Sequence, residues 1–294
     1  MEKQKQAYCY ALAAILLWST VASAFKITLR YLTFLQMLFW SSLVASIILG
    51  LTVVSQNKLS HIKTTSAMDW VRSALLGLLN PFLYYLILFK SYALLPAQEA
   101  QALNYTWPIM LILLSILILR QRIGFLSIFA ILISFCGVLV ISTQGDVLNL
   151  NFANPFGAAL ALSSSLLWAF FWTMNIKDRR DEAIKLFLSF SFGFLYTLTL
   201  TLCFSELSFP PIAGLIGAAY VGMFEMGITF LLWLKALSLS RTTAHVGNMV
   251  YLSPFLSLII INFTIREAIL PSTVAGLFMI VCGVIMQKYS KPSI

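Results

Sequence analysis

Residues 99–108, EAQALNYTWP, carry more hydrogen-bonding groups than the apolar run IMLILLSILIL after them can use. Gln101, Asn104, Tyr105 and Pro108 fall at i, i+3, i+4 and i+7, so a helix through them sets all four on one face, with Trp107 at its border. Pro108 has no N–H, which leaves the Asn104 carbonyl without its helical partner. Facing a wet cavity rather than lipid, the freed carbonyl can bind water or a ligand donor, so this polar face should point inward. The same groups could instead bond helix to helix. The coincidence of so many polar groups favours the cavity.

Glu99, in the first turn of the same helix, points away from that face. Helix-terminal stabilisation suits it better than solute or proton binding. Glu225, in YVGMFEMGITF, is the most isolated charge in the chain. A carboxyl so deep in an apolar segment must be paired, hydrated or protonated, which makes Glu225 the leading candidate for proton coupling, with a structural role near the cytoplasmic end as the alternative. His245 and Asn248 are possible partners, although His245 lies too shallow to reach it easily.

Aromatic rings gather in three further places. Tyr84 and Tyr85 follow Asn80–Pro81, Trp168 and Trp172 stand one turn apart, and Trp18 sits in a matching Leu-Leu-Trp. A pocket lined by such rings suits an apolar or aromatic small molecule, while core packing explains each ring taken singly. Tyr251 and Pro254 in VYLSP repeat Tyr105 and Pro108 at an offset of 146 residues. Pro108 and Pro254 are therefore the expected helix breaks.

The elements that must hold these residues are membrane spans. Only 10% of the 294 residues are charged and 60% are hydrophobic. Apolar segments long enough for a hydrocarbon core of about 30 Å recur along the chain. Ten spans are expected, at 7–28, 33–54, 69–89, 97–119, 124–143, 155–175, 184–204, 211–233, 242–265 and 271–288. The first, AYCYALAAILLWSTVASAF, reads as a retained helix because it is too long for a signal-peptide core. With the N-terminus in the cytoplasm, fifteen of the 19 Lys and Arg residues fall inside, leaving Lys26, Arg30, Lys90 and Arg266 outside. The positive-inside rule selects this orientation, with both termini cytoplasmic. The charge of +9 thus reflects topology, and no nucleic-acid partner is expected.

The halves repeat. Besides the Tyr and Pro pairs, Arg120 matches Arg266, and Cys-Gly-Val recurs at 136–138 and 282–284. Residues 1–146 and 147–294 form two units of five spans each, and an odd span count inverts the second unit in the membrane. Inverted repeats around a midplane site are the mark of secondary transporters. No ATP-binding Gly-Lys-Ser/Thr loop, His-Glu-x-x-His or Gly-x-Ser-x-Gly occurs, so enzymatic chemistry is not expected and energy must come from a gradient. Cys9, Cys136, Cys203 and Cys282 lie in apolar segments without metal-ligand spacing, so neither a metal nor a cofactor is expected.

The ten-span inverted repeat, with Pro late in the fourth span of each half, then an Arg and a Cys-Gly-Val helix, resembles the drug/metabolite transporter superfamily of the EamA type. More narrowly, LPAQEAQALNYTWP (95–108) and GMFEMGITFLLWLKAL (222–237) resemble the YddG-type aromatic amino acid exporters, with Thr106 where that motif has Leu. The resemblance implies an all-α basket of ten helices around a central cavity that opens alternately to each side of the bacterial inner membrane. It further implies export of aromatic and other neutral amino acids by a monomer. The expected substrate-binding residues are Tyr84, Tyr85, Gln101, Asn104, Tyr105, Trp107, Trp168 and Tyr251, with membrane lipid and a coupling proton as the other partners. Rival expectations are export of another amine, a purine metabolite or a toxic cation, or a non-transporting receptor or scaffold.

Overall fold

The computed structural model describes residues 2–107, 109–110, 114, 125–148, 154–204, 209–239 and 248–289. Every regular element among the described residues is helical. The first half comprises α1 (Glu2–Thr28), α2 (Phe34–Ser55), α3 (Leu59–Lys63), α4 (Ala67–Gly77), a π turn at Leu78–Leu83, α5 (Tyr84–Leu94), α6 (Ala97–Asn104) and α7 (Phe125–Ser142). The second comprises α8 (Pro155–Lys177), α9 (Glu182–Phe204), α10 (Ile212–Tyr220), a π turn at Val221–Gly227, α11 (Ile228–Leu239), a 3₁₀ turn at Asn248–Tyr251, α12 (Leu252–Ile265) and α13 (Pro271–Tyr289).

Among the described residues, six stretches are long and apolar enough to cross a membrane: 2–28, 34–55, 67–94, 155–175, 182–204 and 212–236. Shorter apolar helices cover 132–141, 252–265 and 271–286. The helix ends follow from local chemistry. Thr33 and Gln36 form a reciprocal capping box at the start of α2. Asn154 accepts from the Gly157 N–H just before Pro155, the first residue of α8.

Four expected spans differ in detail from continuous helices. The stretch at 69–89 runs from Ala67 to Leu94 and breaks at Asn80, which is extended (φ −150°, ψ 121°). Proline at 81 disfavours helical backbone at the preceding residue. The 97–119 span loses its regular helix at Asn104. There the Thr106 N–H reaches back three residues to the Leu103 carbonyl, and its hydroxyl donates to the same oxygen. The face proposed for Gln101, Asn104, Tyr105 and Pro108 is therefore not one unbroken helix. Pro108 lies outside the described residues. The 211–233 span widens into a π turn around Glu225. In the 242–265 span, α12 starts at Leu252 after the 3₁₀ turn, so Pro254 sits in its first turn, where a missing N–H costs nothing.

Packing between the two halves is crosswise. α1 packs on α11 and α12, while α8 packs on α5 and α6; α2 pairs with α9, and α7 pairs with α13. In the α7–α13 seam Gly137 meets Gly276, where a Cβ on either glycine would stand 2.6 Å from the other's carbonyl oxygen. Small residues let these backbones approach, as in many membrane helix pairs.

Candidate functional site: an aromatic cavity with one carboxyl group

Each surrounding helix lends one stripe to a central cavity. From α1 come Trp18, Val21 and Phe25, at i, i+3 and i+7; from α5 come Tyr84, Leu88 and Tyr92, at i, i+4 and i+8. Gln101 and Asn104 of α6 are followed by Tyr105 and Trp107 at the turn, and Trp168 and Trp172 of α8 face them. Glu225, Trp233 and Val250 complete the lining.

Trp168 is the hub of the rings. Its centroid lies 4.8 Å from Tyr84, 5.6 Å from Trp172 and 6.4 Å from Trp18, whose own ring lies 5.3 Å from Trp233. Such offset and edge contacts hold rings at fixed angles and leave their faces available to a planar or cationic group.

The polar groups divide into engaged and free. Asn104 Nδ2 donates to Ser164 Oγ at 2.8 Å, and its Oδ1 accepts from the Tyr84 hydroxyl at 3.4 Å. It thus lines the cavity and ties α6 to α5 and α8, so both uses read from the sequence occur together. The Tyr85 hydroxyl donates to Glu225 Oε1 at 3.0 Å. Both amide atoms of Gln101 are buried with no hydrogen-bond partner among the described residues, and Glu225 Oε2 is buried without a well-formed one, with Trp18 as its polar neighbour. Buried polar atoms are nearly always satisfied, so the Gln101 amide marks where a solute or water would bond. Glu225 is the only charged side chain among the described lining residues.

Of the eight residues expected to bind substrate, six line this cavity: Tyr84, Gln101, Asn104, Tyr105, Trp107 and Trp168. Tyr85 does not. It is fully buried behind the wall, with its hydroxyl on Glu225 and its ring against Tyr84. The Tyr251 side chain and His245 lie outside the described residues. Among the lining residues that sequence reasoning missed, two had a signal. Trp233 closes a third Leu-Leu-Trp at 231–233, after those at 16–18 and 166–168, and all three tryptophans line the cavity. Tyr92 lies two helical turns beyond Tyr84 and shares its face.

Polar clusters close the bundle at either end. At one end the Glu267 carboxylate accepts from the Ala97 and Gln98 N–H groups at 3.0 and 3.2 Å, capping α6. The Gln98 amide answers by donating to the Ala268 carbonyl and accepting from the Leu270 N–H. The anchor of this helix start is therefore Glu267, not Glu99. Glu99 is buried without a well-formed hydrogen bond, and Gln144 is its polar neighbour. At the other end, Lys58 pairs with Asp181 at 2.6 Å, and Arg180 pairs with Asp178 at 2.6 Å while bonding the Asp69 carbonyl and Ser73. Burial pushes the Asp178 carboxyl up, but the hydrogen bonds and charge of Arg180 outweigh it and hold the group below the usual carboxylate range.

The EamA-like transporter family matches residues 5–143 and again residues 155–287. An uncharacterized transporter of Archaeoglobus fulgidus is 22% identical over 91% of this chain and 93% of its own length. One from Clostridium kluyveri is 24% identical over 84% of the chain and 81% of its own. A third, encoded in the sor 3' region of Acidianus ambivalens, is 31% identical across 53% of the chain and 60% of that protein. A protein of known crystal structure superposes with a TM-score of 0.66 over 96% of both chains at 19% identity, which shows a shared fold and nothing finer. Because the family covers both halves and nearly the whole length, this chain belongs to the EamA-like transporter family: it is a multi-pass membrane transporter of small molecules, not an enzyme.

Proposed function

We propose that the protein is a secondary transporter of the bacterial inner membrane that exports aromatic and other neutral amino acids by alternating access. Its two units, 1–146 and 147–294, act as inverted five-span repeats with both termini in the cytoplasm. The crosswise packing supports this reading. Under a five-span offset, α1 on α11 and α12 becomes α8 on α5 and α6, while the α2–α9 and α7–α13 pairs map onto themselves. That is the pattern of two halves related by a two-fold axis.

The observation that carries the substrate reading is the coexistence, in one ring-lined cavity, of the unpartnered Gln101 amide and the Glu225 carboxyl. An aromatic side chain would lie among Trp18, Trp168 and Trp172. Its ammonium would bond Glu225, and its carboxylate the Gln101 amide. Pro108, Pro254 and the side chain of Tyr251 enter as the hinge and lining positions implied by the sequence. A second reading, an aromatic amine or organic cation, draws on one specific observation: among the described lining residues no basic side chain faces Glu225.

Uptake into proteoliposomes, across a panel of amino acids, amines and nucleosides, separates the two. Saturable movement of tryptophan and phenylalanine is expected, with nucleosides carried far more slowly. Transport of tryptamine with no transport of tryptophan would move the assignment to amines, and no flux of any solute would refute the proposal.

A further inference from the structure

A second, more open cavity lies beyond the central one and is lined by Lys26, Leu29, Arg30, Tyr92, Ala93, Ile265 and Glu267. Tyr92 lines both cavities. Its ring meets Phe25 edge-on at 5.0 Å, and Phe25 belongs to the central lining while the next residue, Lys26, belongs to the outer one. Phe25 and Tyr92, both buried, are thus a partition one side chain thick. The partition is braced from the outer side, because Lys26 Nζ donates to the Tyr92 and Leu95 carbonyls at 2.9 and 2.7 Å.

Charge changes sign across it. The central cavity presents one carboxyl group and no described cation, whereas the outer one presents Lys26 and Arg30 against Glu267 alone. Glu267 is already committed to the N–H groups of Ala97 and Gln98. Arg30 is exposed, and its side chain makes no hydrogen bond or ion pair among the described residues. In the proposed orientation these are two of only four basic residues outside, where the positive-inside rule disfavours them.

We propose that this outer vestibule is a second binding station on the transport path, which takes the carboxylate of the departing solute on Arg30 beside Lys26 once the Phe25–Tyr92 partition has opened. A guanidinium presents the forked donors that a carboxylate accepts. An amino acid held by its ammonium inside would thus be drawn outward by its other end. The inference rests on the amino acid reading of the central cavity and adds a site to it.

Two measurements test it. On a background with the four native cysteines replaced by alanine, Ala93→Cys in the vestibule and Leu88→Cys in the central cavity are modified with a sulfonate-bearing and a trimethylammonium-bearing methanethiosulfonate. Relative to a free thiol, the anionic reagent is expected to be favoured roughly fivefold at Ala93→Cys and disfavoured at Leu88→Cys, with R30Q removing the first preference. Equal ratios at both sites overturn the inference. In proteoliposomes, R30Q is expected to slow tryptophan several-fold while leaving tryptamine unchanged, and R30K to restore part of the loss. Unchanged tryptophan transport in R30Q places the vestibule off the path and refutes the station. If the wild type carries neither solute, the amino acid reading of the central cavity fails, while the labelling ratios still decide whether the vestibule attracts anions.

Discussion

Replacing Glu225 with glutamine is expected to abolish solute movement driven by a pH gradient and to weaken tryptophan binding about 30-fold. The carboxyl stands on a π turn in the cavity lining, 4% exposed, with Oε1 held by Tyr85 and Oε2 without a well-formed hydrogen bond beside Trp18. It can hold a proton or the ammonium of a solute, but not both at once, which is the exclusion that an exchanger needs. Glutamine keeps the size and loses the charge, so a charge-assisted hydrogen bond of about 2 kcal/mol disappears, and each 1.4 kcal/mol is tenfold in affinity. Titration calorimetry and proteoliposome flux with an imposed gradient read the two effects separately. Tyr85→Phe, which frees Oε1 without removing the charge, should weaken binding less. Gradient-driven transport that survives in E225Q would remove the proton role.

Arg180→Ala is expected to destabilise the folded bundle by about 3 kcal/mol. The Asp178 side chain is fully buried, and Arg180 supplies both its bidentate partner and the bonds that tie the α8–α9 connection to Asp69 and Ser73 of α4. Removal strands a buried carboxylate, since Arg72, at 3.9 Å, offers only a weak second contact. Because the folded group titrates below its unfolded value, this stabilisation is complete at about pH 5, begins to fall near the unfolded value of about 4 and is lost as pH falls through the folded pKa. The wild-type advantage over Arg180→Ala in detergent unfolding should therefore shrink between pH 5 and the most acidic condition tolerated (about pH 3). A pH-independent difference would assign the loss to packing rather than to the ion pair.

How legible these features were depended on how locally each is encoded. The apolar segments were readable because a bilayer demands about 20 apolar residues per crossing, and that demand is written within each segment. Gln101, Asn104 and Tyr105 were placed together by helical spacing, which survived even though the helix ends at Asn104. The breaks were less visible. Pro81 announces a break, but nothing in VGMFEMG announces a π turn. Partners distant in sequence were invisible: Glu267 caps a helix 170 residues earlier, and Tyr85 reaches Glu225 across 140. Tyr92 and Trp233 carried periodic signals, yet only the packed bundle shows that their faces converge on one space.

The central claim is that the ring-lined cavity holds the solute during transport. Val250→Cys, on the cysteine-free background, places a thiol on that lining with little change in shape or charge. Its rate of modification by a small neutral maleimide, measured with and without saturating tryptophan, is the direct test. Tryptophan should slow the reaction at least several-fold at Val250→Cys and leave a thiol in the vestibule far less protected. Full reactivity of Val250→Cys under conditions where tryptophan is being transported would contradict the assignment of this cavity.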